Sequence, residues 1–300
     1  MRDLRRRYRE PLIRLLIKLF SRMPFSLALF IGGVFGRILW LFNGEMRKTS
    51  ERNVSICLPG LSEAEKKRIV KSSLIETGKN ITEIATLWTK PRSRMTALVT
   101  NVHGESVLTE ALGRGQGVIL LAPHLGAWEM SGLYVSLNFP ITSMYKPPEM
   151  QSLEDIVRAG RSRFGAKLVP TDVTGVRELL QALKKGEVIG ILPDQDPGRG
   201  NGEFAPFFGQ SANTATLAIK LAAKTNAKVI SCYAKRNKDA SGYEVYFYPC
   251  DQNVNHSDAD LALAAMNKEV EKLILRCPEQ YQWNYKRFKT QPNGLKTIYQ

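Results

Sequence analysis

Residues 117–124 read GVILLAPH, five apolar side chains in succession closed by proline and histidine. A run without alternation has no solvent face. It fits a strand covered on both sides, as in the parallel sheet of an α/β protein with helices packed on each face. Such a strand requires helices and further strands to alternate around it.

The chain supplies them. In LSEAEKKRIVKSSLIETGKNITEIATLW, Ser62 and Glu65 have capping-box spacing and open a helix expected to break near Gly78. Val107 to Leu112 reads as a short helix ended by Gly113, and Ala127 to Leu137 as another. ITSMYK and AKLVP read as strands around LEDIVRAGRSRFG, helical up to Gly165. VRELLQALKKG is a helix stopped by Gly186, and EVIGILPDQDPG is a strand entering a loop. TATLAIKLAAKTNA is a helix, KVISCYAKR and YEVYFYPC are strands, and Ser257 to Cys277 is a helix opened by Ser257 and Asp260. The expected fold is α/β, a mixed, mainly parallel sheet flanked by helices. With no repeat and no linker after residue 45, one catalytic domain is expected over 44–292, followed by a polar tail, 293–300.

The first 43 residues are of another kind. Eight basic residues precede Pro24, and Arg14, Lys18 and Arg22 form one stripe among leucines and isoleucines of a basic amphipathic helix. Met23 to Gly36 then carries no charge, but at 14 residues it is shorter than the roughly 20 of a full span. Cations interrupt the early apolar stretch and Gly32-Gly33 is a weak cleavage cue, so retained membrane attachment is expected rather than a secretory signal. A span with its basic end in the cytoplasm would export all that follows. A segment docked in the inner leaflet, with the domain on the cytoplasmic side, fits better. A net charge of +15 over 300 residues also suits anionic partners. The four cysteines, Cys57, Cys232, Cys250 and Cys277, have neither zinc-motif nor framework spacing, which suggests a reduced compartment and no metal centre.

His124 closes the apolar strand and Glu129 follows five residues on. On one continuous helix they would diverge by roughly 140°. With His124 in a strand-to-helix turn and Gly126 permitting a tight backbone, Glu129 enters the first helical turn and can reach back. A carboxylate on one imidazole nitrogen fixes the tautomer and leaves the other nitrogen to accept a proton from a hydroxyl. The other reading is a turn-capping histidine and a glutamate placed at a helix N-terminus. These residues leave both open.

The H-x4-E of HLGAWE, taken with MYKPP (144–148), GRSRFGAKLVP (160–170), LKKGEVIGILPDQDPG (183–198), PFFGQSANTATLAIKLAAKTNAKVI (206–230) and CPEQYQWNYKRFKTQP (277–292), resembles the bacterial lauroyl/myristoyl lipid A acyltransferases. That family is a branch of the lysophospholipid acyltransferase superfamily. The ordered set covers the chain nearly to its end, with one departure: Lys146 stands where relatives often carry arginine.

The resemblance implies a glycerolipid-acyltransferase-like fold and transfer of a fatty acyl chain from acyl carrier protein thioester to a hydroxyl of a lipid A precursor. It implies His124 as general base, Glu129 as its partner, no acyl-enzyme, and neither cofactor nor metal. The partners it implies are acyl carrier protein, a lipid A precursor and anionic inner-membrane lipids. The nearest rival is a glycerolipid or ornithine-lipid acyltransferase using acyl-CoA.

Arg161 and Arg163 diverge by about 200° on a helix, so at most one enters the site. Arg161 is the choice, for a substrate phosphate or the acyl carbonyl. Asp194 and Asp196 read as turn residues, a metal or acid–base pair, or, by the family match, Asp194 as structural support or as orientation for a site arginine. Phe207 and Phe208 are expected to border the acyl pocket or to pack in the core. Lys146 and Arg163 complete the substrate-binding candidates. WNYKRFK (283–289) mixes cations with aromatics, but no nucleic-acid-binding motif accompanies it.

Overall fold

The computed structural model describes residues 2–148, 153–292 and 297–299. Five helices precede the first strand: α1 (Arg2–Arg22), α2 (Phe25–Leu41), α3 (Glu45–Cys57), α4 (Glu63–Thr89) and α5 (Arg92–Ala97). Then come β1 (Val99–His103), α6 (Glu105–Gly113), β2 (Val118–Leu121), α7 (Trp128–Asn138), β3 (Ile141–Met144), α8 (Glu154–Ser162), β4 (Lys167–Val169), α9 (Val173–Lys184) and β5 (Val188–Ile191). A hairpin, β6 (Glu203–Phe207) and β7 (Gln210–Thr214), leads to α10 (Leu217–Thr225), β8 (Lys228–Arg236), β9 (Tyr243–Pro249) and α11 (Ala259–Arg276).

Seven strands form one sheet in the order β1-β9-β8-β2-β5-β3-β4. All its pairings are parallel except β8 with β9, which a short turn joins without a crossover helix. β2 lies in the middle, and no residue of it is more than 1% exposed. Val118 and Leu120 pack with Leu108 of α6 and Met130 and Leu133 of α7. Ile119 and Leu121 face the opposite layer, with Leu179 of α9, Ile219 of α10 and Met266 of α11. Burial on both faces contributes about 1.5–3 kcal/mol per side chain, which explains the run without alternation.

The helix opened by Ser62 does not break at Gly78. The capping box forms as expected, with Ser62 and Glu65 bonding each other's backbone N–H. A Cβ on Gly78, however, would lie 2.1 Å from the carbonyl oxygen of Gly32 and 2.7 Å from the nitrogen of Gly36. Gly78 is where α4 meets α2 backbone to backbone. Deeper in the sheet, Arg236 at the end of β8 is buried between Glu76 and Glu83 of α4, bonding Asn80 at 2.5 Å, while the Tyr243 hydroxyl donates to Glu83 at 2.8 Å. Two carboxylates beside one guanidinium satisfy a charge that would otherwise be costly to bury.

The N-terminal segment therefore packs on the body through one face of α2, which buries Ala28, Leu29, Gly32, Gly33, Gly36 and Trp40. Leu27, Phe30, Val34, Phe35 and Ile38 stay exposed, as do Leu12, Leu15, Leu16 and Leu19 of α1. Among the described residues no single helix is long and apolar enough to cross a membrane; α2 and α3 pass that test only together, as a pair bent by 81°.

Elsewhere α11 starts at Ala259, capped by Asp258 rather than by Ser257 or Asp260. The tail expected from residue 293 docks where it is described: the Tyr299 hydroxyl donates to Asn53 Oδ1 at 2.6 Å and accepts from the Phe288 N–H at 3.0 Å.

Candidate active site

β2 and β5 are parallel neighbours in a register that pairs Val118 with Val188 and Leu121 with Ile191. Each continues past its end through a proline, Ala122-Pro123-His124 on one and Leu192-Pro193-Asp194 on the other. The register carried three residues onward sets His124 beside Asp194. The Asp194 carboxylate takes the backbone N–H of His124 at 2.9 Å and lies 3.0 Å from Nδ1 of its ring. This is the carboxyl-end position where open α/β sheets gather their sites.

The turn carrying His124 is fixed on both sides. Gly126 adopts φ +64°, and a Cβ there would meet the Ala234 carbonyl oxygen at 2.1 Å. The Gly126 N–H donates to the Gln280 carbonyl, Ala127 N–H to that of Ala234, and Gln282 N–H to that of His124. The Gln280 side chain in turn bonds both backbone groups of Arg236. The buried Arg236 cluster is thereby linked to the strand-to-helix turn.

Glu129, the second residue of α7, does not bond the imidazole. Its carboxylate is engaged by Arg161 near the end of α8, through Nε at 3.1 Å and through Nη2, and by the Trp88 indole N–H at 3.1 Å. The expected His124–Glu129 hydrogen bond is corrected to His124–Asp194. Parallel register places Asp194 at the ring nitrogen, while α8 brings a guanidinium to the glutamate. Gly160 permits that approach, since a Cβ there would lie 2.4 Å from the Trp88 ring.

His124, with Asp194 buried behind it, and the Glu129–Arg161 pair open on one cleft of about 350 Å³, also lined by Trp128, Lys146 and Gln195. Leu133, Ile141, Leu168 and Ile191 supply an apolar wall. Gln195 was not singled out in the sequence, although it directly follows Asp194. Arg163 lies apart from this cleft, its Nη1 donating to the Leu87 carbonyl at 3.1 Å and its guanidinium over the Phe164 ring. Phe207 and Phe208 do not line it either. They fall at the turn of the β6–β7 hairpin, where Phe208 and Gly209 both have positive φ, as a type I′ turn requires. Phe207 is 1% exposed against Phe288, and the Phe208 N–H donates to Glu271. In WNYKRFK, Trp283, Arg287 and Phe288 are buried in the core, while Asn284, Tyr285 and Lys286 are half-buried and Lys289 is exposed.

Burial alone would raise the Asp194 carboxyl, but the charge and hydrogen bonds of His124 outweigh it and hold Asp194 below the usual carboxylate range. Burial lowers Arg161, yet the charge and hydrogen bonds of Glu129 hold it above its ordinary value. Behind Asp194, burial and then that carboxylate's charge keep the Tyr281 hydroxyl well above the phenol range. The site thus presents an oriented imidazole with an ionised partner, beside an anchored guanidinium, at the mouth of a half-apolar cleft. That arrangement suits removal of a proton from a hydroxyl and stabilisation of a developing oxyanion.

Comparison with known proteins agrees in kind. A family model described as bacterial lipid A biosynthesis acyltransferase matches residues 5–290. The chain is 30% identical to a lipid A biosynthesis palmitoleoyltransferase of Escherichia coli (strain K12), over 94% of its own length and 91% of the relative's. It is 29% identical to the lipid A biosynthesis lauroyltransferase of the same strain, with the same coverage. Identity to that strain's lipid A biosynthesis myristoyltransferase is 26%, covering 84% of this chain and 79% of the other.

Proposed function

Because the chain belongs to the bacterial lipid A biosynthesis acyltransferase family and is an O-acyltransferase, we propose that it moves a fatty acyl chain from an acyl carrier protein thioester to a hydroxyl of a lipid A precursor. The observation that carries this reading is the 3.0 Å contact between His124 Nδ1 and Asp194 at the mouth of the cleft. Asp194 only accepts, so Nδ1 holds the hydrogen and Nε2 presents a lone pair. The acceptor hydroxyl gives its proton to Nε2 as its oxygen bonds the thioester carbon. Asp194 stabilises the imidazolium, and Arg161, held by Glu129, faces the oxyanion. The C–S bond then breaks, and the leaving thiolate takes the proton from Nε2. This route needs no acyl-enzyme, metal or other prosthetic group.

The surroundings fit the substrates. The net charge of +15 favours a phosphorylated lipid, anionic inner-membrane lipids and an acidic carrier protein. The exposed leucines and phenylalanines of α1 and α2 supply a face for the cytoplasmic side of the inner membrane.

The test offers the purified full chain lauroyl thioesters of acyl carrier protein and of coenzyme A, with a lipid A precursor or a lysoglycerolipid as acceptor, and weighs the products by mass spectrometry. The expected product is the lipid A precursor plus one acyl group, drawn from the carrier protein. His124→Ala is expected to lower the rate by about 10²–10⁴. Transfer that survives this substitution, or that prefers coenzyme A and the glycerolipid, overturns the proposal.

A further inference from the structure

The imidazole nitrogen that must receive the acceptor's proton is already occupied. Nε2 of His124 lies 3.2 Å from Nε2 of Gln195, and the same amide nitrogen lies 3.3 Å from Oε1 of Gln282. The neighbours fix the direction of both bonds. With Nδ1–H donated to Asp194, the other ring nitrogen can only accept, so the Gln195 amide must donate. One of its hydrogens goes to His124 and the other to Gln282. Nor is the amide there by chance of a loose loop. The next backbone N–H, that of Asp196, donates to the Tyr285 hydroxyl at 3.1 Å, and the Asp196 carboxylate binds the N–H groups of Gly198 and Thr290 and the side chain of Asn213.

We infer that Gln195 is a gate on the general base. In the resting enzyme its amide holds the Nε2 lone pair and keeps water from it. The acceptor hydroxyl displaces the amide, and once Nε2 is protonated the amide N–H can no longer donate to it, so this contact is lost until the proton has left. This role rests on the reading of His124 as base.

The gate matters because a thioester is open to water at the same nitrogen. A water on Nε2 would give up its proton there while its oxygen bonds the acyl carbon. The C–S bond would break and the thiolate would take the proton, leaving a free fatty acid and a thiol. An amide on Nε2 blocks that reaction and yields to the larger, better-anchored acceptor.

The charged groups around the ring are Asp194 on Nδ1 and Glu129, Arg161 and Lys146 across the cleft, with the Trp128 ring 5.3 Å away. None of the four charged groups is among the hydrogen-bond partners of the Gln195 side chain, which are His124 and Gln282. Thiol release from lauroyl-acyl carrier protein is measured with the full chain, without and with lipid A precursor. Losing one net hydrogen bond corresponds to about fivefold, so Gln195→Ala is expected to raise acceptor-free release about that much and to lower the fraction of acyl groups transferred. Gln282→Leu, which frees the amide from its second anchor, moves both quantities the same way by less. Gln195→Glu puts an acceptor on Nε2 that favours imidazolium, and moves the acid limb of transfer up by about one pH unit. Acceptor-free release at or below the wild-type level in both Gln195→Ala and Gln282→Leu, with His124→Ala inactive, overturns the gate and leaves the base reading intact. Activity retained in His124→Ala strikes the base reading instead.

Discussion

The two ring nitrogens of His124 meet different neighbours, and the residues around it divide accordingly. Asp194 fixes Nδ1, Gln195 meets Nε2, and Glu129 works one step away by holding Arg161. If Arg161 faces the oxyanion as proposed, Arg161→Lys lowers kcat by about 10²–10³, because an ammonium cannot both pair with Glu129 as a fork and face the substrate. Single-turnover acyl transfer measures this. His124 and Glu129, read from a strand-to-helix motif, and Arg161, read from the family resemblance, all line the candidate cleft. The partner of the histidine was not legible, because spacing along the chain does not encode pairing between strands. The signal was present all the same: two apolar strands each end in Pro followed by a polar residue, APH and LPD, and in parallel register those residues align. Arg163, kept among the substrate-binding candidates, packs away from the cleft, and Phe207 takes the core place that was its alternative reading, because composition alone cannot tell a side chain that faces a cleft from one that packs behind it.

At the scale of elements, alternation of apolar runs gave most strands and helices of the sheet, since period and burial are coupled in α/β folds. It failed at Gly78, where the residue that usually ends a helix instead lets two helices touch, and at the β6–β7 hairpin, whose turn is Phe208-Gly209. The contact predicts its own sensitivity. Gly78→Ala places a methyl within 2.1 Å of the Gly32 carbonyl oxygen and is expected to cost about 1–3 kcal/mol in thermal unfolding. At Gly33 the nearest atom to an added Cβ is the flexible Arg37 guanidinium at 3.4 Å, so Gly33→Ala is expected to leave the transition nearly unchanged.

For the whole molecule, the basic N-terminus and the exposed apolar residues of α1 and α2 lie on one continuous part of the chain. Leu19→Glu with Phe30→Glu is expected to weaken sedimentation with anionic vesicles, and added salt to weaken it further. Binding equal to wild type would remove α1 and α2 from the attachment surface. Stability should depend on pH through two buried carboxyls. Burial raises Asp196, but the N–H groups of Gly198 and Thr290 and the Asn213 amide outweigh it, so like Asp194 it titrates below its ordinary value when folded. A depressed folded value means the stabilisation is complete above the unfolded value of about 4 and is lost as pH falls through the folded one. The unfolding temperature is therefore expected to drop below about pH 4, and less steeply in Asp196→Asn.

The pairing of His124 with Asp194 is tested most directly by the pH dependence of kcat/KM in Asp194→Asn and Glu129→Gln. Losing the carboxylate that stabilises imidazolium is expected to move the acid limb to lower pH and reduce the plateau in Asp194→Asn, while Glu129→Gln lowers the plateau and leaves the limb in place. A limb that moves in Glu129→Gln and stays fixed in Asp194→Asn would contradict the account.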